Sequence, residues 1–305
     1  MNPTTPKTYY DGVPDTLVKP LLNFRADVPL QSTVINDVTW TYYTLGNPSD
    51  DALLLLHAGG GNAETMFQHI RAYADNFYVV APNIPHDLTT ISDVVIGLRA
   101  LLGVTNITKV HVVGMSFGAM LAQMYIRRFM DTVHNLVITH TMIPSQHMSE
   151  PMQMRVGILS MYPASLLLWM SKRSFFNDLP ATSTPTSPEK IAFWRAYFDE
   201  LYSEQMTKRQ IVTRTKLTAN YHVEYEFTGR DLKGWDGQLL IIESEHDQAI
   251  NEGDRGSLKG MYSKAYVQTL YGYDHFAPLF AADEMIESIT NFLHRFSESQ
   301  EQDTL

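Results

Sequence analysis

The sequence predicts an α/β fold: a mostly parallel eight-stranded sheet with helices on both faces and an inserted helical cap. Short, almost wholly apolar runs without polar alternation are typical of parallel strands that helices cover on both faces. Stretches with helical spacing separate these runs, which indicates crossover connections. The alternation stops near residue 145 and resumes after residue 230. We therefore expect a core made of residues 1–144 and 231–305, and a helical cap made of residues 145–230.

The start of the chain carries little periodic signal. Residues 1 to about 30 contain several prolines and no sustained hydrophobic period, so we expect an arm packed on the domain. The segments STVIN and VTWTYYTL follow, and they flank Asn36 and Asp37. Because both segments are rich in β-branched and aromatic residues, they predict a hairpin with its turn at this pair.

Six further strands and five helices alternate along the predicted core. The apolar runs place the strands at 52–58, 77–82, 110–116, 136–141, 238–247 and 265–271. Helical spacing places the helices at about 63–74, 89–102, 117–130, 252–262 and 278–296. An alternation of this kind favours a parallel sheet, with the ligand site at the carboxyl ends of the strands.

The predicted cap is rich in methionine and aromatic residues. Residues 145–230 contain no comparable strand, and a Pro/Ser/Thr segment at 179–188 divides them into two parts. The simplest interpretation of these side chains is packing between the cap and the sheet. As a set they also predict an apolar acyl pocket, because methionine adapts to irregular surfaces.

Composition limits the partners that the chain could have. A net charge of −10 disfavours binding to nucleic acid or to an anionic membrane, so we expect neither as a partner. The chain has no cysteine, which excludes disulfides, thiolate catalysis and cysteine-ligated metals. The first twenty residues lack the basic head and apolar core of a secretory signal, so we expect a cytoplasmic protein. The oligomeric state stays open.

A nucleophile motif lies at the end of the strand predicted at 110–116. Gly114-Met115-Ser116-Phe117-Gly118 has the pattern Gly-x-Ser-x-Gly, and an amphipathic helix follows it directly. In such an elbow the serine is strained at the tip of a sharp turn, and small flanking residues let the helix approach the strand. The motif alone could arise by chance, but its strand-to-helix context makes Ser116 the candidate nucleophile.

The expected partners of Ser116 follow in the chain order acid, then histidine. Asp247 and His275 each come after a predicted strand, at the edge where such sheets place ligands. Three other carboxylates compete with Asp247. Glu243 and Glu245 lie within the strand predicted at 238–247, and Asp274 directly precedes the histidine.

The competing histidines are fewer. His140 and His246 also lie at predicted strand ends and remain the rivals of His275. We predict a triad in which His275 accepts the proton of Ser116 and Asp247 orients the imidazole.

A glycine-rich loop follows the strand predicted at 52–58 and predicts the oxyanion hole. His57-Ala58-Gly59-Gly60-Gly61-Asn62 occupies the place from which this kind of sheet supplies a second backbone donor. We expect the N–H groups of Phe117 and Gly59 to be the donors, with Ala58 or Gly60 as alternatives. A dinucleotide loop is disfavoured, because the third glycine and the acidic residue after the next strand are absent. No metal motif appears either, so no cofactor is expected.

The loop, the elbow, Asp247 and His275 together resemble the α/β-hydrolase superfamily of the serine esterase type over nearly the whole chain. The resemblance implies the α/β-hydrolase fold and the hydrolysis of esters or lactones. The late segments ESEHDQAI and GYDHFAPLFAADE, with the helical region before them, are similar to the maspardin-like branch. Maspardin looks to lack the catalytic histidine, whereas this chain has His275, so the resemblance favours an active enzyme.

The sequence therefore predicts a serine hydrolase that cleaves carboxylic esters or lactones with an apolar acyl part through an acyl-enzyme on Ser116. Two other classes stay open. One is a catalytically silent binding protein with the same fold. The other is an enzyme of this fold with different chemistry: a C–C hydrolase, a hydroxynitrile lyase or a peroxide-forming enzyme.

Overall fold

The computed structural model of the protein describes residues 9–179 and 185–302. Its strands are β1 (Gln31–Ile35), β2 (Val38–Leu45), β3 (Ala52–Leu56), β4 (Tyr78–Pro82), β5 (Val110–Met115), β6 (Val133–Thr139), β7 (Leu239–Ser244) and β8 (Tyr266–Leu270). Its first helices are α1 (Asp15–Asp27), α2 (Phe67–Tyr73), α3 (Ile91–Val104), α4 (Phe117–Arg128), α5 (Gln146–Met161) and α6 (Ala164–Asp178). The remaining helices are α7 (Pro188–Glu204), α8 (Lys208–Glu224), α9 (Glu252–Met261), α10 (Ala277–Phe280) and α11 (Ala282–Gln302).

All eight strands form one sheet in the order β1-β2-β4-β3-β5-β6-β7-β8. β2 pairs antiparallel with both β1 and β4. The six strands β3 to β8 are parallel to one another. The predicted hairpin is confirmed, since Ile35 pairs with Val38 across a turn in which Asn36 and Asp37 have φ angles of 49° and 63°. These angles match the turn type that joins two twisted strands most directly.

The central strands β3, β5 and β7 are buried on both faces, as their apolar sequences require. Along β3, Leu53 and Leu55 join one hydrophobic core, whereas Leu54 and Leu56 join the other. All four side chains are fully buried. Because successive residues of a strand point to opposite faces, a strand between two helical layers is apolar at every position.

The two ends of the chain differ from expectation. The predicted arm contains α1, whose side chains Val18, Leu21 and Phe24 are buried although Pro20 lies inside the helix. The closing helix is two elements, because α10 ends at Phe280 and α11 then runs to Gln302. The described part of the expected cap contains helices only, α5 to α8, and these lie between β6 and β7. Residues 180–184 of that segment lie outside the described residues.

No helix within residues 9–179 and 185–302 is long and apolar enough to cross a membrane.

Candidate active site

Ser116 lies at the tip of a sharp turn between β5 and α4. Its φ of 52° and ψ of −112° are unusual for a residue with a side chain, and such a conformation costs on the order of 1–3 kcal/mol. The backbone around it keeps the turn in place: the Ser116 N–H donates to the carbonyl of Thr139 at 2.9 Å, and its carbonyl accepts from Ala119 at 2.9 Å. The strained turn therefore holds the hydroxyl at the carboxyl edge of the sheet.

The two glycines of the elbow permit the close approach of α4 to the sheet. A Cβ on Gly114 would lie 2.5 Å from the carbonyl oxygen of Gly118, and a Cβ on Gly118 would lie 2.2 Å from the carbonyl oxygen of Leu56. Both clashes would be with backbone, so no side-chain movement could relieve them. The spacing Gly-x-Ser-x-Gly is thus a packing requirement of this turn.

Ser116, His275 and Asp247 form one continuous chain of hydrogen bonds. Ser116 Oγ lies 2.9 Å from His275 Nε2, and His275 Nδ1 lies 3.0 and 2.9 Å from the two carboxylate oxygens of Asp247. Because a carboxylate can only accept, Nδ1 carries the proton, and Nε2 is free to accept the hydroxyl proton of the serine. The structure thus brings together all three residues that the sequence singled out.

The carboxylate of Asp247 is buried and held by its own loop. Its side chain is 1% exposed, and Oδ1 accepts the backbone N–H groups of Ala249 and Ile250, each at 2.9 Å. Burial alone raises the pKa of this carboxyl, but the hydrogen bond and charge of His275 outweigh it and lower the pKa below its usual range. Asp247 is therefore a fixed anion that orients the imidazole.

The rival carboxylates have other partners. Glu243 lies within β7 and binds the ammonium of Lys259 at 2.7 Å. Glu245 is exposed and accepts a backbone N–H at 3.0 Å, and Asp274 accepts the backbone N–H two residues further along at 2.8 Å. None of these three contacts involves His275, whereas both carboxylate oxygens of Asp247 lie within hydrogen-bond distance of its Nδ1.

The glycine loop after β3 is fixed by two side chains. His57 is fully buried, its Nδ1 lies 2.8 Å from the carbonyl of Ala58, and its Nε2 accepts the N–H of Ile84 at 3.4 Å. This arrangement places the proton on Nδ1, and burial lowers the pKa of His57 to about 3, so the ring is neutral. Arg214 of α8 donates to the carbonyl of Gly59 at 2.7 Å.

These contacts set the direction of the loop's N–H groups. In a trans peptide the C=O and N–H point in opposite directions. Holding the Ala58 carbonyl therefore fixes the N–H of Gly59, and holding the Gly59 carbonyl fixes the N–H of Gly60. Gly59 also lies beside Phe117, since a Cβ on Gly59 would be 3.3 Å from the Cβ of Phe117. Phe117 is the first residue of α4, where helix N–H groups have no partner within the helix.

Comparison with known proteins identifies the family of this chain. Residues 53–288 match the alpha/beta hydrolase family. The chain belongs to this family. Maspardin from Danio rerio is 31% identical over 127 residues, a match that covers 39% of this chain and 40% of maspardin.

Two solved structures show how widely the fold is shared. A carboxylesterase from Nitrososphaera gargenis has 18% identity and a TM-score of 0.69, and it covers 89% of this chain and 100% of its own. The 2-hydroxy-6-oxo-6-phenylhexa-2,4-dienoate hydrolase from Rhodococcus sp. strain RHA1 has 16% identity and a TM-score of 0.67, and it covers 88% and 99%. At such identities the likeness shows the fold alone.

A second histidine, His140, lies beside the triad of this α/β hydrolase. It follows β6 with a φ of 50°, and its ring lies edge-on to that of His275 with 5.8 Å between centroids. Its Nε2 lies 2.8 Å from the hydroxyl of Ser244. Burial, with a smaller effect of His275, lowers the pKa of His140 to about 3, so the ring of this rival histidine is neutral. The imidazole that contacts Ser116 Oγ is that of His275. The other rival, His246, is exposed beside Glu245.

Phe175 of α6 covers the glycine loop of the hydrolase. A Cβ on Gly60 would lie 2.8 Å from the Phe175 ring, whose centroid is 4.1 Å from that of Phe198 and 5.2 Å from that of Phe276. Sequence reasoning singled out neither Phe175 nor Arg214. Both lie more than a hundred residues from the loop that they contact, and nothing in the local pattern signals such a contact.

Proposed function

We propose that the chain is a serine hydrolase that cleaves carboxylic esters or lactones through an acyl-enzyme on Ser116. The observation that carries the proposal is the continuous hydrogen-bonded chain from Ser116 Oγ through His275 to the buried carboxylate of Asp247. A serine hydroxyl is a poor nucleophile until a neighbouring base takes its proton, and an oriented neutral imidazole is such a base.

In the first half of the reaction, Ser116 Oγ attacks the carbonyl carbon while His275 Nε2 accepts the hydroxyl proton. The carbonyl oxygen becomes an oxyanion, which the N–H groups of Phe117 and Gly59 stabilise. One such donor is worth about 3 kcal/mol in comparable enzymes. His275 then gives its proton to the leaving alcohol, and the acyl group stays on the serine.

In the second half, a water molecule takes the place of the alcohol. His275 accepts a proton from the water as its oxygen attacks the acyl carbon, and the proton then passes to Ser116 as the acid departs. Asp247 stays ionised throughout and stabilises the imidazolium that forms in each half, consistent with its lowered pKa.

We propose that helices α5 to α8 form a cap that selects an apolar acyl group. Support comes from Phe175, which lies against the glycine loop and whose ring contacts those of Phe198 and Phe276. If the cap has this role, a series of p-nitrophenyl esters will show higher kcat/KM for medium acyl chains than for acetate. Equal kcat/KM values across the series would contradict the acyl-selecting role of the cap. They would leave the assignment of the triad unaffected.

The proposal is tested by Ser116→Ala, measured on a short p-nitrophenyl ester. We expect hydrolysis to fall by a factor of at least about 10³, because the nucleophile is removed. Ser149→Ala, at a serine of α5 that is half-buried as Ser116 is, is the matched control and should retain full activity. Turnover of Ser116→Ala near the control level would refute the assignment.

A substrate panel separates ester hydrolysis from the other chemistries. Esters, lactones and a vinylogous 1,5-diketone of the kind that C–C hydrolases cleave should be compared on the same preparation. The ester proposal expects the highest kcat/KM on an ester or lactone. A silent binding protein would turn over none of them.

A further inference from the structure

His140 follows the strand that separates the nucleophile of the triad from its acid. In the sheet, β6 lies between β5, which ends one residue before Ser116, and β7, which leads to Asp247. The carbonyl of Thr139 accepts the N–H of Ser116 at 2.9 Å. The N–H of His140 donates to the carbonyl of Ile242 in β7 at 3.0 Å. The side chain of His140 therefore starts from a backbone that is tied to both neighbouring strands.

Three features of His140 lower the stability of the folded protein. Its φ of 50° lies in the left-handed region, which is strained for a residue with a side chain. Its Nδ1 is buried and has no hydrogen-bond partner within residues 9–179 and 185–302. Burial lowers the pKa of the ring to about 3, so protonation favours the unfolded chain below about pH 6.5. Strain, an unpaired polar atom and a lowered pKa at one residue beside a triad are typical of a functional position.

The ring of His140 packs against the imidazole of His275. The two rings are nearly perpendicular, at 88°, and their centroids are 5.8 Å apart. This is the edge-to-face arrangement that pairs of aromatic rings prefer. Phe276 also lies beside His275, with 6.3 Å between the centroids and an angle of 85°. The imidazole of the triad thus has ring contacts in addition to its hydrogen bonds.

A hydrogen bond to β7 fixes the orientation of the His140 ring. Its Nε2 lies 2.8 Å from the hydroxyl of Ser244, the last residue of β7. Ser244 is fully buried, and Asp247 follows it three residues later. The strand that leads to the acid of the triad therefore also anchors the ring that packs against the base.

The imidazole of His275 is hydrogen-bonded at both of its nitrogens before the reaction begins. Asp247 holds its Nδ1, and its Nε2 lies 2.9 Å from Ser116 Oγ. In the acyl-enzyme this oxygen is esterified and has no proton to donate, so Nε2 loses its partner. The ring is then held by Asp247 and by packing, at the stage in which Nε2 has to accept a proton from water.

We propose that His140 is a positioning residue that keeps the His275 imidazole in place for hydrolysis of the acyl-enzyme. The proposal rests on the acyl-enzyme mechanism given above. Packing against His140 limits rotation of the imidazole once Ser116 no longer binds Nε2. A neutral ring suits this place, because a positive charge 5.8 Å away would oppose the imidazolium that forms on His275. A histidine provides an aromatic ring together with a nitrogen that Ser244 can hold.

The test is the hydrolysis of p-nitrophenyl acetate by the full chain. The good leaving group makes breakdown of the acyl-enzyme the slower half, so kcat reports its breakdown and kcat/KM reports its formation. His140→Asn removes the ring, and asparagine tolerates the left-handed backbone. We expect kcat to fall about tenfold because the aromatic pair is lost, while kcat/KM stays within about threefold. His140→Phe keeps a ring and should restore kcat to within about threefold of the native value.

A second variant acts through the anchor of the ring. Ser244→Ala leaves His140 in place but removes its hydrogen bond, and it should lower kcat about threefold with little change in kcat/KM. It keeps the proposal testable if His140→Asn fails to fold. The matched control is His111→Asn, at a histidine that is 1% exposed near the amino end of β5. Its kcat per folded molecule should equal that of the native protein.

Equal losses of kcat and kcat/KM in His140→Asn would overturn the proposal, because the defect would then arise before the acyl-enzyme or in the fold. A native kcat in either His140→Asn or Ser244→Ala would overturn it as well. A native protein without turnover, or native turnover in Ser116→Ala, would refute the proposed function and this inference with it. Failure of the inference alone therefore requires an active native protein whose activity depends on Ser116.

Discussion

Replacing Arg214 with methionine removes the group that fixes the Gly59–Gly60 peptide. The guanidinium donates to the Gly59 carbonyl at 2.7 Å, and it reaches this loop from α8. Methionine keeps much of the length of the side chain but can neither donate nor carry charge. The peptide that Arg214 holds directly follows the Gly59 N–H that we propose as an oxyanion donor. Its loss should therefore loosen that donor and affect the transition state more than the folded state.

The expected loss of kcat/KM follows from the energy of the hydrogen bond that is removed. A hydrogen bond from a charged donor contributes about 1.5–3 kcal/mol, so kcat/KM should fall by about ten- to hundredfold. The effect on stability should be small, because the folded state already carries the cost of burying this charge. Burial lowers the pKa of Arg214 to about 10. An apolar replacement removes that cost, and this offsets the lost hydrogen bond.

The assay is kcat/KM on a p-nitrophenyl ester together with the midpoint of thermal unfolding. Arg209→Met is the matched control, since Arg209 lies on the same helix, is 62% exposed and pairs with Asp87. Arg214→Lys keeps a charged donor and should recover part of the activity. Equal kcat/KM for Arg214→Met and Arg209→Met would refute the role assigned to this contact, and so would an activity loss that matches a loss of stability.

Three further predictions use other parts of the molecule. Asp247→Asn should lower kcat by about 10⁴-fold with little change in KM, because the amide no longer holds the imidazole tautomer; a loss below tenfold would contradict its role. Gly118→Ala should destabilise by about 1–3 kcal/mol or more, as its Cβ would lie 2.2 Å from a carbonyl oxygen of β3. In Gly103→Ala the Cβ meets nothing within 4 Å, and urea unfolding should show no loss in this control. His69 is buried, its ring nitrogens have no hydrogen-bond partner within the described residues, and burial lowers its pKa to about 4. Below about pH 6.5 the unfolded state therefore binds a proton at this position that the folded state does not bind. The free energy of unfolding falls as the pH drops towards 4. His69→Leu should lessen the stability lost between pH 7 and 5 by about 2 kcal/mol, and an unchanged pH dependence would count against this account.

Much of the sheet follows from local sequence. A run such as Ala52–Leu56 is apolar at each position because both faces of β3 are covered, and this pattern marks a central parallel strand. Helix α1 could not be predicted in the same way. Pro14 and Pro20 break its local signal, and the helix is stabilised by the burial of Leu21 and Phe24 against the rest of the core.

The same distinction between local sequence and tertiary packing applies to the residues of the candidate site. Ser116, Asp247 and His275 could be singled out because each follows a predicted strand, and parallel strands bring their carboxyl ends to one edge. The contact of Arg214 with Gly59 spans 155 positions and depends on how α8 lies over that edge. Only the packed structure provides this information. The exposure of Met161 and Trp169 was equally beyond the sequence, because an apolar run alone predicts burial.

The proposed reaction requires Ser116 to be an activated nucleophile, and labelling with a fluorophosphonate probe tests that property itself. The probe forms a covalent bond only with a serine whose hydroxyl is activated, so the result does not depend on finding the substrate. We predict that the native protein is labelled and that peptide mass mapping places the label on Ser116. Labelling should vanish in Ser116→Ala and fall sharply in His275→Ala. A native protein that stays unlabelled, or a label that persists in Ser116→Ala, would show that Ser116 is not the nucleophile.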